Sequence, residues 1–322
     1  MKEELKIFCA GSNPDLTTSI AEVLGLELNS LKIARFSNDN ITVQIQENVR
    51  ERDVFVVQSL TTPVSEQIMK MLITLDALRS ASAKRITAVI PYYSYARSDK
   101  KDAPRISITA RLIADLLKTA GADRVLTMDL HSPQVHGFFS MPVDHLTATA
   151  LIADYFKNKP GREKMIVVAT DAGGAKRAGR LAEHLDVPIA IVDKRRISDT
   201  EVAQGEMVGN VRGKVCIIFD DEIATGSTIL ETMKTLKEAG AGKIYVSAVH
   251  GVLCGDAVPR LQESGMEELV VTNTVHIAEE KKMNNMTVLS VAPLLAEAIR
   301  RIHTGESIGE MFPQELGMKP QS

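Results

Sequence analysis

The stretch "IIFDDEIATGST" (217–228) ends an apolar run in two adjacent carboxylates, Asp220 and Asp221. The small turn Thr225, Gly226, Ser227 and Thr228 follows them. In open α/β sheets, ligands sit beyond the carboxyl ends of strands, where loops enter helix N-termini. A turn of small hydroxyl residues at a helix start receives a phosphate through its backbone N–H groups. Like charge keeps the two acids off that phosphate. Carboxylates instead suit sugar hydroxyls or a divalent cation. The stretch therefore asks for a phosphorylated sugar, against the plainer alternative of a solvated helix cap with two spare acids. Neither GxxxxGK[ST] nor GxGxxG occurs, so no P-loop or dinucleotide fingerprint competes.

Four further clusters carry groups suited to phosphate chemistry. In "TDAGGAKRAGRL" (170–181), Asp171 ends an apolar run, Gly173 and Gly174 permit close backbone approach, and Lys176 and Arg177 stand beside them. A turn with a helix cap at Asp171 is the competing reading. In "TMDLHSPQVHGFF" (127–139), His131 stands at another strand end as metal ligand or phosphate partner, or as a purely structural histidine. "PYYSYARSDKKDAPR" (91–105) crowds Arg97, Lys100, Lys101 and Arg105 near Tyr92, Tyr93 and Tyr95. That composition fits a polyphosphate site, or a solvated charged loop. "VDKRRISDTE" (192–201) places Lys194, Arg195 and Arg196 after a strand, as a basic flap over developing negative charge.

These residues need elements to position them. Short, continuous apolar runs occur at 5–10, 53–59, 85–93, 124–130, 164–171, 187–193, 214–221, 243–250 and 268–274. Continuous rather than alternating patterning predicts parallel strands covered on both faces. Helical periodicity intervenes, with Gly121 and Gly240 as stop signals. The alternation predicts an α/β fold with mostly parallel sheets. With 322 residues, two domains are expected, and "KNKPGREK" (157–164) is the best linker candidate. A net charge of −3, few aromatics and no Trp argue against a nucleic-acid or acidic-membrane partner. Cys9, Cys216 and Cys254 lack metal or disulfide spacing and read as buried thiols. The start of the chain has no signal-peptide core and no apolar run approaches a membrane span, so a cytoplasmic protein is expected.

Taken together, the chain resembles the ribose-phosphate diphosphokinase (pyrophosphokinase) family, the phosphoribosyl-pyrophosphate (PRPP) synthetases. The resemblance rests on "RFSNDNITVQIQENVR" (35–50), "YARSDKKDAPRISITARL" (95–112), "GADRVLTMDLH" (121–131), "DAGGAKR" (171–177), "DKRR" (193–196) and "SVAPLLAEAIRRIH" (290–303). It implies two tandem phosphoribosyltransferase-like domains, 1–150 and 151–322, with the C-terminal helix packing back on the first. It implies transfer of the diphosphoryl group of ATP to the 1-hydroxyl of ribose 5-phosphate, with Mg²⁺, giving PRPP and AMP. A homo-oligomer, a dimer building to a hexamer, is also implied. By the same resemblance, Lys194 and Arg196 are catalytic cations, and His131 and Asp171 are metal-linked. Phe36, Asn38, Asn40, Arg97, Ser98 and Asp102 fall at ATP-site positions, the first two reaching a neighbouring subunit's nucleotide. Asp220, Asp221, Ala224, Thr225, Gly226, Ser227 and Thr228 form the ribose-5-phosphate site.

The chain departs from the family pattern at several of these positions. Ala224 stands where an acid is common, Asn40 where Glu is usual, Ser98 where Gln is frequent and His136 where Gln is usual. An amide both donates and accepts, whereas a carboxylate only accepts, so a loosened base preference is expected. The substitution at His136 puts ordinary phosphate activation and ADP inhibition in question. A phosphoribosyltransferase that consumes PRPP, and a non-catalytic regulatory subunit, are the competing functions. The full N-terminal half counts against the first; retention of Lys194, Arg196 and His131 counts against the second.

Overall fold

The computed structural model describes residues 4–193 and 206–312. In chain order the strands and helices begin with β1 (Leu5–Cys9), α1 (Pro14–Leu24), β2 (Leu31–Arg35), β3 (Ile41–Ile45), β4 (Asp53–Val57) and α2 (Val64–Ser80). They continue with β5 (Arg85–Ile90), α3 (Thr109–Ala120), β6 (Arg124–Met128), β7 (Val143–Leu146) and α4 (Thr149–Lys157). The second half contains β8 (Met165–Ala169), α5 (Ala175–Leu185), β9 (Ile189–Asp193), β10 (Glu206–Val208), β11 (Val215–Ile223) and α6 (Ser227–Glu238). After these come β12 (Ile244–Gly251), α7 (Ala257–Gln262), β13 (Glu268–Thr272), β14 (Met286–Leu289) and α8 (Ala292–Thr304). The chain forms two compact units, one of residues up to 146 together with those from 290 onward, the other 147–289. The 157–164 stretch lies inside the second unit, between α4 and β8.

Unit 1 is built on a five-stranded sheet of order β1-β4-β5-β6-β7, parallel at every pairing. All five residues of β4 are buried, as continuous apolar patterning predicts for an interior strand. A separate antiparallel hairpin pairs β2 with β3. Its strands are only partly buried and its sequence is not a continuous apolar run, so it does not announce itself as the core strands do. Helix α8 returns from the far end of the chain to this unit and packs on α1. Its anchor is the fully buried Asp53, which accepts Arg85 Nε at 2.8 Å and Nη2 at 2.5 Å. His303 Nδ1 reaches the same carboxylate at 2.7 Å, and Arg85 also donates to the Ile302 carbonyl at 3.0 Å. A buried charge held this way has its desolvation offset by several charge-assisted hydrogen bonds.

Unit 2 has a seven-stranded sheet of order β10-β9-β8-β11-β12-β13-β14. Only β10 runs antiparallel to its neighbour. From β8 the chain moves outward to β9, then returns to lay β11 on the other side of β8. The strand order therefore reverses between β8 and β11, and a crevice opens at their carboxyl ends. Unit 1 has a counterpart: Phe8 of β1 makes a parallel bridge to Asn29 on the side away from β4, so the chain there also steps outward from β1 before returning to its other side. All nine strand regions expected from the apolar runs are present. The short or half-exposed β2, β3, β7, β10 and β14 were not among them. One expectation needs correction: of the three thiols only Cys216 is buried, while Cys9 and Cys254 are half-buried. No helix among the described residues is long and apolar enough to cross a membrane.

Candidate active site

Strand β11 runs two residues past the acids, to Ile223, rather than ending at them. Its ladder to β12 continues through Ile223↔Gly251, but its ladder to β8 stops at Phe219↔Ala169. Asp220 and Asp221 thus lie in a strand that is paired on one side only, beside the end of β8. On that open side Thr170 Oγ1 donates to Asp220 Oδ2 at 3.1 Å. Arg177, the third residue of α5, places Nη1 2.9 Å from Asp220 Oδ1 and 2.7 Å from Asp221 Oδ1. One guanidinium therefore serves two carboxylates, and Asp221 is only 2% exposed. Burial, with the Asp221 carboxylate beside it, pushes Asp220 up to about 7, and Arg177 opposes that rise. Near neutral pH the pair can accept hydrogen bonds from hydroxyls and, when Asp220 holds a proton, donate one.

Asp171 leads into α5. Its Oδ1 accepts the Gly174 N–H at 2.7 Å, and a Cβ on Gly173 would stand 3.2 Å from that oxygen. The glycines let the carboxylate fold back over the helix start, so the capping reading of Asp171 describes one of its oxygens. Ala224 is held through its backbone: its carbonyl accepts the Cys254 N–H at 2.8 Å, and Ile223 O accepts from Val252 and Leu253. The exposed Thr225, Ser227 and Thr228 then surround Gly226 at the start of α6, which begins at Ser227. Gly226 has φ +73°, and a Cβ there would meet Leu261 Cγ at 3.3 Å. Gly226→Ala is therefore expected to cost about 1–2 kcal/mol from the left-handed backbone alone. Urea unfolding measures it, and an unchanged midpoint would refute the strain assigned here.

In unit 1 the expected nucleotide residues fall on two loops. Phe36, Asn38 and Asn40 form the tip between β2 and β3, and all three are exposed. The tip is closed by Phe36 N–H to Asn40 O at 2.9 Å and by an Arg35–Asp39 ion pair. Arg97 and Asp102 are exposed on the loop between β5 and α3. Ser98 on that loop uses its hydroxyl locally, accepting Thr109 N–H at 3.2 Å at the start of α3 and donating to Ser107 O at 3.3 Å. Of the nearby tyrosines, Tyr93 belongs to the core, with its hydroxyl on Ala110 O at 2.9 Å, whereas Tyr95 is exposed. His131 is exposed just beyond β6, after Asp129 in a left-handed conformation with φ 41°. A non-glycine residue held so is a form of backbone strain that clusters at functional sites. His136 lies 3.2 Å from Val143 O through Nε2. Lys194 and Arg196 fall outside the described residues.

Sequence reasoning placed Arg177 beside Gly173 and Gly174 but did not link it to Asp220 and Asp221, and it passed over Thr170. It also missed Arg260 on α7, whose Nη1 donates to Ser227 Oγ at 3.2 Å. "DAVPRLQ" carries no motif that would have drawn attention to it.

Paired acids sharing one guanidinium, beside a small hydroxyl turn at a helix start and at the switch point of a mostly parallel sheet, define the class: an α/β protein with the strand-end crevice in which such folds bind ligands. Comparison with known proteins narrows this. Residues 5–121 match the model of the N-terminal domain of ribose phosphate pyrophosphokinase, and 201–313 match that of the phosphoribosyl synthetase-associated domain. The ribose-phosphate pyrophosphokinase of Deinococcus radiodurans is 48% identical over 315 residues, covering 97% of this chain and 98% of that protein. That of Bacillus caldolyticus is 47% identical over 311 residues, again covering 97% and 98%. The crystal structure of phosphoribosylpyrophosphate synthetase from Mycobacterium smegmatis superposes with a TM-score of 0.90 at 43% identity, over 94% of this chain and all of that one. The chain belongs to the ribose-phosphate pyrophosphokinase family.

Proposed function

We propose that the chain is a ribose-phosphate pyrophosphokinase acting in the cytoplasm on ATP and ribose 5-phosphate. The 1-hydroxyl oxygen of the sugar attacks the β-phosphorus of ATP, the bond to the α,β-bridging oxygen breaks, and AMP leaves as PRPP forms. The observation that carries this reading is the match along both halves of the chain to enzymes of that name. A phosphoribosyltransferase would account for the ribose-phosphate turn but not for the N-terminal match at 5–121.

In this reading the turn from Thr225 to Thr228 receives the 5-phosphate while Asp220 and Asp221 hold the ribose hydroxyls. Ala224 contributes its backbone to the same loop. Phe36, Asn38, Asn40, Arg97, Ser98 and Asp102 serve the nucleotide, with the hairpin tip reaching a neighbouring copy in a homo-oligomer. Lys194 and Arg196 offset charge on the transferring group, a reaction type that needs positioning and neutralisation more than covalent help. Among the described residues no three His, Cys, Asp or Glu side chains form a metal cage. Mg²⁺ does not require one, because it keeps waters and binds one or two carboxylates with substrate phosphates. Asp171 fits that demand: Oδ1 is committed to Gly174, and Oδ2 has no hydrogen-bond partner among the described residues. Asp171 would hold the ion, which neutralises phosphate charge when bound; His131 has the other metal-linked role that the family resemblance implies.

Phosphorus NMR with ATP, Mg²⁺ and ribose 5-phosphate tests the function: AMP and PRPP must appear together, and no turnover would overturn it. The nucleotide site makes a second prediction. Asn40 offers both a donor and an acceptor at an exposed hairpin tip. GTP or CTP is expected to support kcat/KM within about 100-fold of ATP, smaller than the discrimination of a site that leaves the wrong base unpaired. Strict ATP use in a nucleotide panel would remove Asn40 from base selection.

A further inference from the structure

Arg260 is delivered to the phosphate turn by packing. Its neighbour Leu261 is fully buried and lies against Gly226, the glycine at the start of α6. The chain just before α7 is tied to the end of β11 by Cys254 N–H to Ala224 O at 2.8 Å and Leu253 N–H to Ile223 O at 3.0 Å. Helix α7 and the turn are thus fixed to each other within one unit. From that position Arg260 Nη1 donates to Ser227 Oγ at 3.2 Å. Its carboxylate neighbour Asp256 stands 3.7 Å away with its side chain 71% exposed, a weak and screened pairing. Nε and Nη2 have no hydrogen-bond partner among the described residues. A guanidinium so placed holds an unspent planar fork beside exposed Thr225, Ser227 and Thr228. That fork matches two oxygens of a phosphate, which a lysine point charge would not do.

We propose that Arg260 is a substrate-contacting residue that reads the 5-phosphate of the sugar, completing the turn with the cation its own residues lack. The proposal rests on the function given above and names the chemistry of one end of its site. It also fits the separation of charge there, with the acids on the hydroxyl side and Arg260 on the phosphate side. A phosphate monoester is therefore preferred over an unphosphorylated sugar by a charged contact and not by hydroxyl donors alone.

Arg260→Gln tests this by steady-state kinetics. The KM for ribose 5-phosphate should rise about 10–100-fold, as loss of a charge-assisted pair implies, while the KM for ATP and kcat stay within about threefold. Arg260→Lys, which keeps the charge and loses the fork, should fall between. Thermal-shift titration gives an independent reading. Ribose 5-phosphate and inorganic phosphate should stabilise the wild type, Arg260→Gln should lose both shifts, and the shift with ATP and Mg²⁺ should remain. An unchanged KM for ribose 5-phosphate, or equal changes in both substrates' KM values, would overturn the proposal. So would an unchanged ribose 5-phosphate shift. A shift with inorganic phosphate alone would place a free anion there and also overturn it. If the wild type made no PRPP, the functional reading would fall, and the binding titrations would still decide Arg260.

Discussion

Lys194→Ala is expected to lower the rate of PRPP formation by about 10³-fold or more, with little change in the thermal unfolding midpoint. Cations that offset charge on a transferring phosphoryl group are worth about 10³–10⁵ in turnover. Of the other cations in unit 2, Arg177 is committed to Asp220 and Asp221, and Arg260 donates to Ser227 on the turn that opens α6. Strand β9 ends at Asp193 and pairs parallel with β8, whose carboxyl end leads to Asp171. Single-turnover quench experiments with saturating substrates measure the chemical step directly. Turnover within tenfold of wild type would remove Lys194 from the mechanism.

The second large effect is on stability. Arg177→Gln leaves two adjacent carboxylates, one of them 2% exposed, without their shared cation. Breaking a buried pair from one side costs about 3–5 kcal/mol. The loss must depend on pH, and its sign is set by Asp220. Burial already raises this acid to about 7 in the folded state, far above its value in an unfolded chain. Between those two values the folded state binds more protons than the unfolded one, so stability falls as pH rises through about 7. Without Arg177 the folded value climbs further, and the penalty widens on the alkaline side. Urea unfolding at pH 6 and pH 8.5 should show a larger loss at the higher pH, and Arg177→Gln with Asp220→Asn should recover much of it. A loss under about 1 kcal/mol, or one equal at both pH values, would mean the acids are solvated in a way the geometry denies.

Much of this site was legible before any coordinates. The acids, the hydroxyl turn and the glycine pair at 173–174 are contiguous in sequence, and short-range chemistry can be read from short-range order. The core strands were legible for a similar reason. Runs such as "MIVVA" in β8 and "DVFVV" in β4 are buried along their whole length, which only interior strands allow. The hairpin carrying Phe36, Asn38 and Asn40 was not, because its strands are half-exposed and its apolar residues are interrupted. Ser98 shows a different limit. The family resemblance assigned it to the nucleotide, yet its hydroxyl is also engaged at the start of α3, a partner eleven residues away. Ala224 is likewise better described by its carbonyl bond to Cys254 than by the methyl group that replaces an acid.

Residue types and their local order were enough to determine an α/β chain, its principal strands, the hydroxyl-rich turn and the paired acids. They were also enough for the resemblance that the relatives bear out. The tertiary structure decided which strand ends form a crevice. In unit 2 the strand order reverses between β8 and β11, and the crevice opens at those two strand ends. That reversal brings Thr170 and Arg177 to Asp220 from 50 and 43 residues away. It also decided the place of Arg260, which reaches Ser227 from 33 residues away because Leu261 packs on Gly226. Hydrophobic periodicity encodes which residues are buried, since burial is a property of each element's own pattern. Strand order and the meeting of side chains across elements depend on how many such patterns pack at once, and no single stretch contains that information.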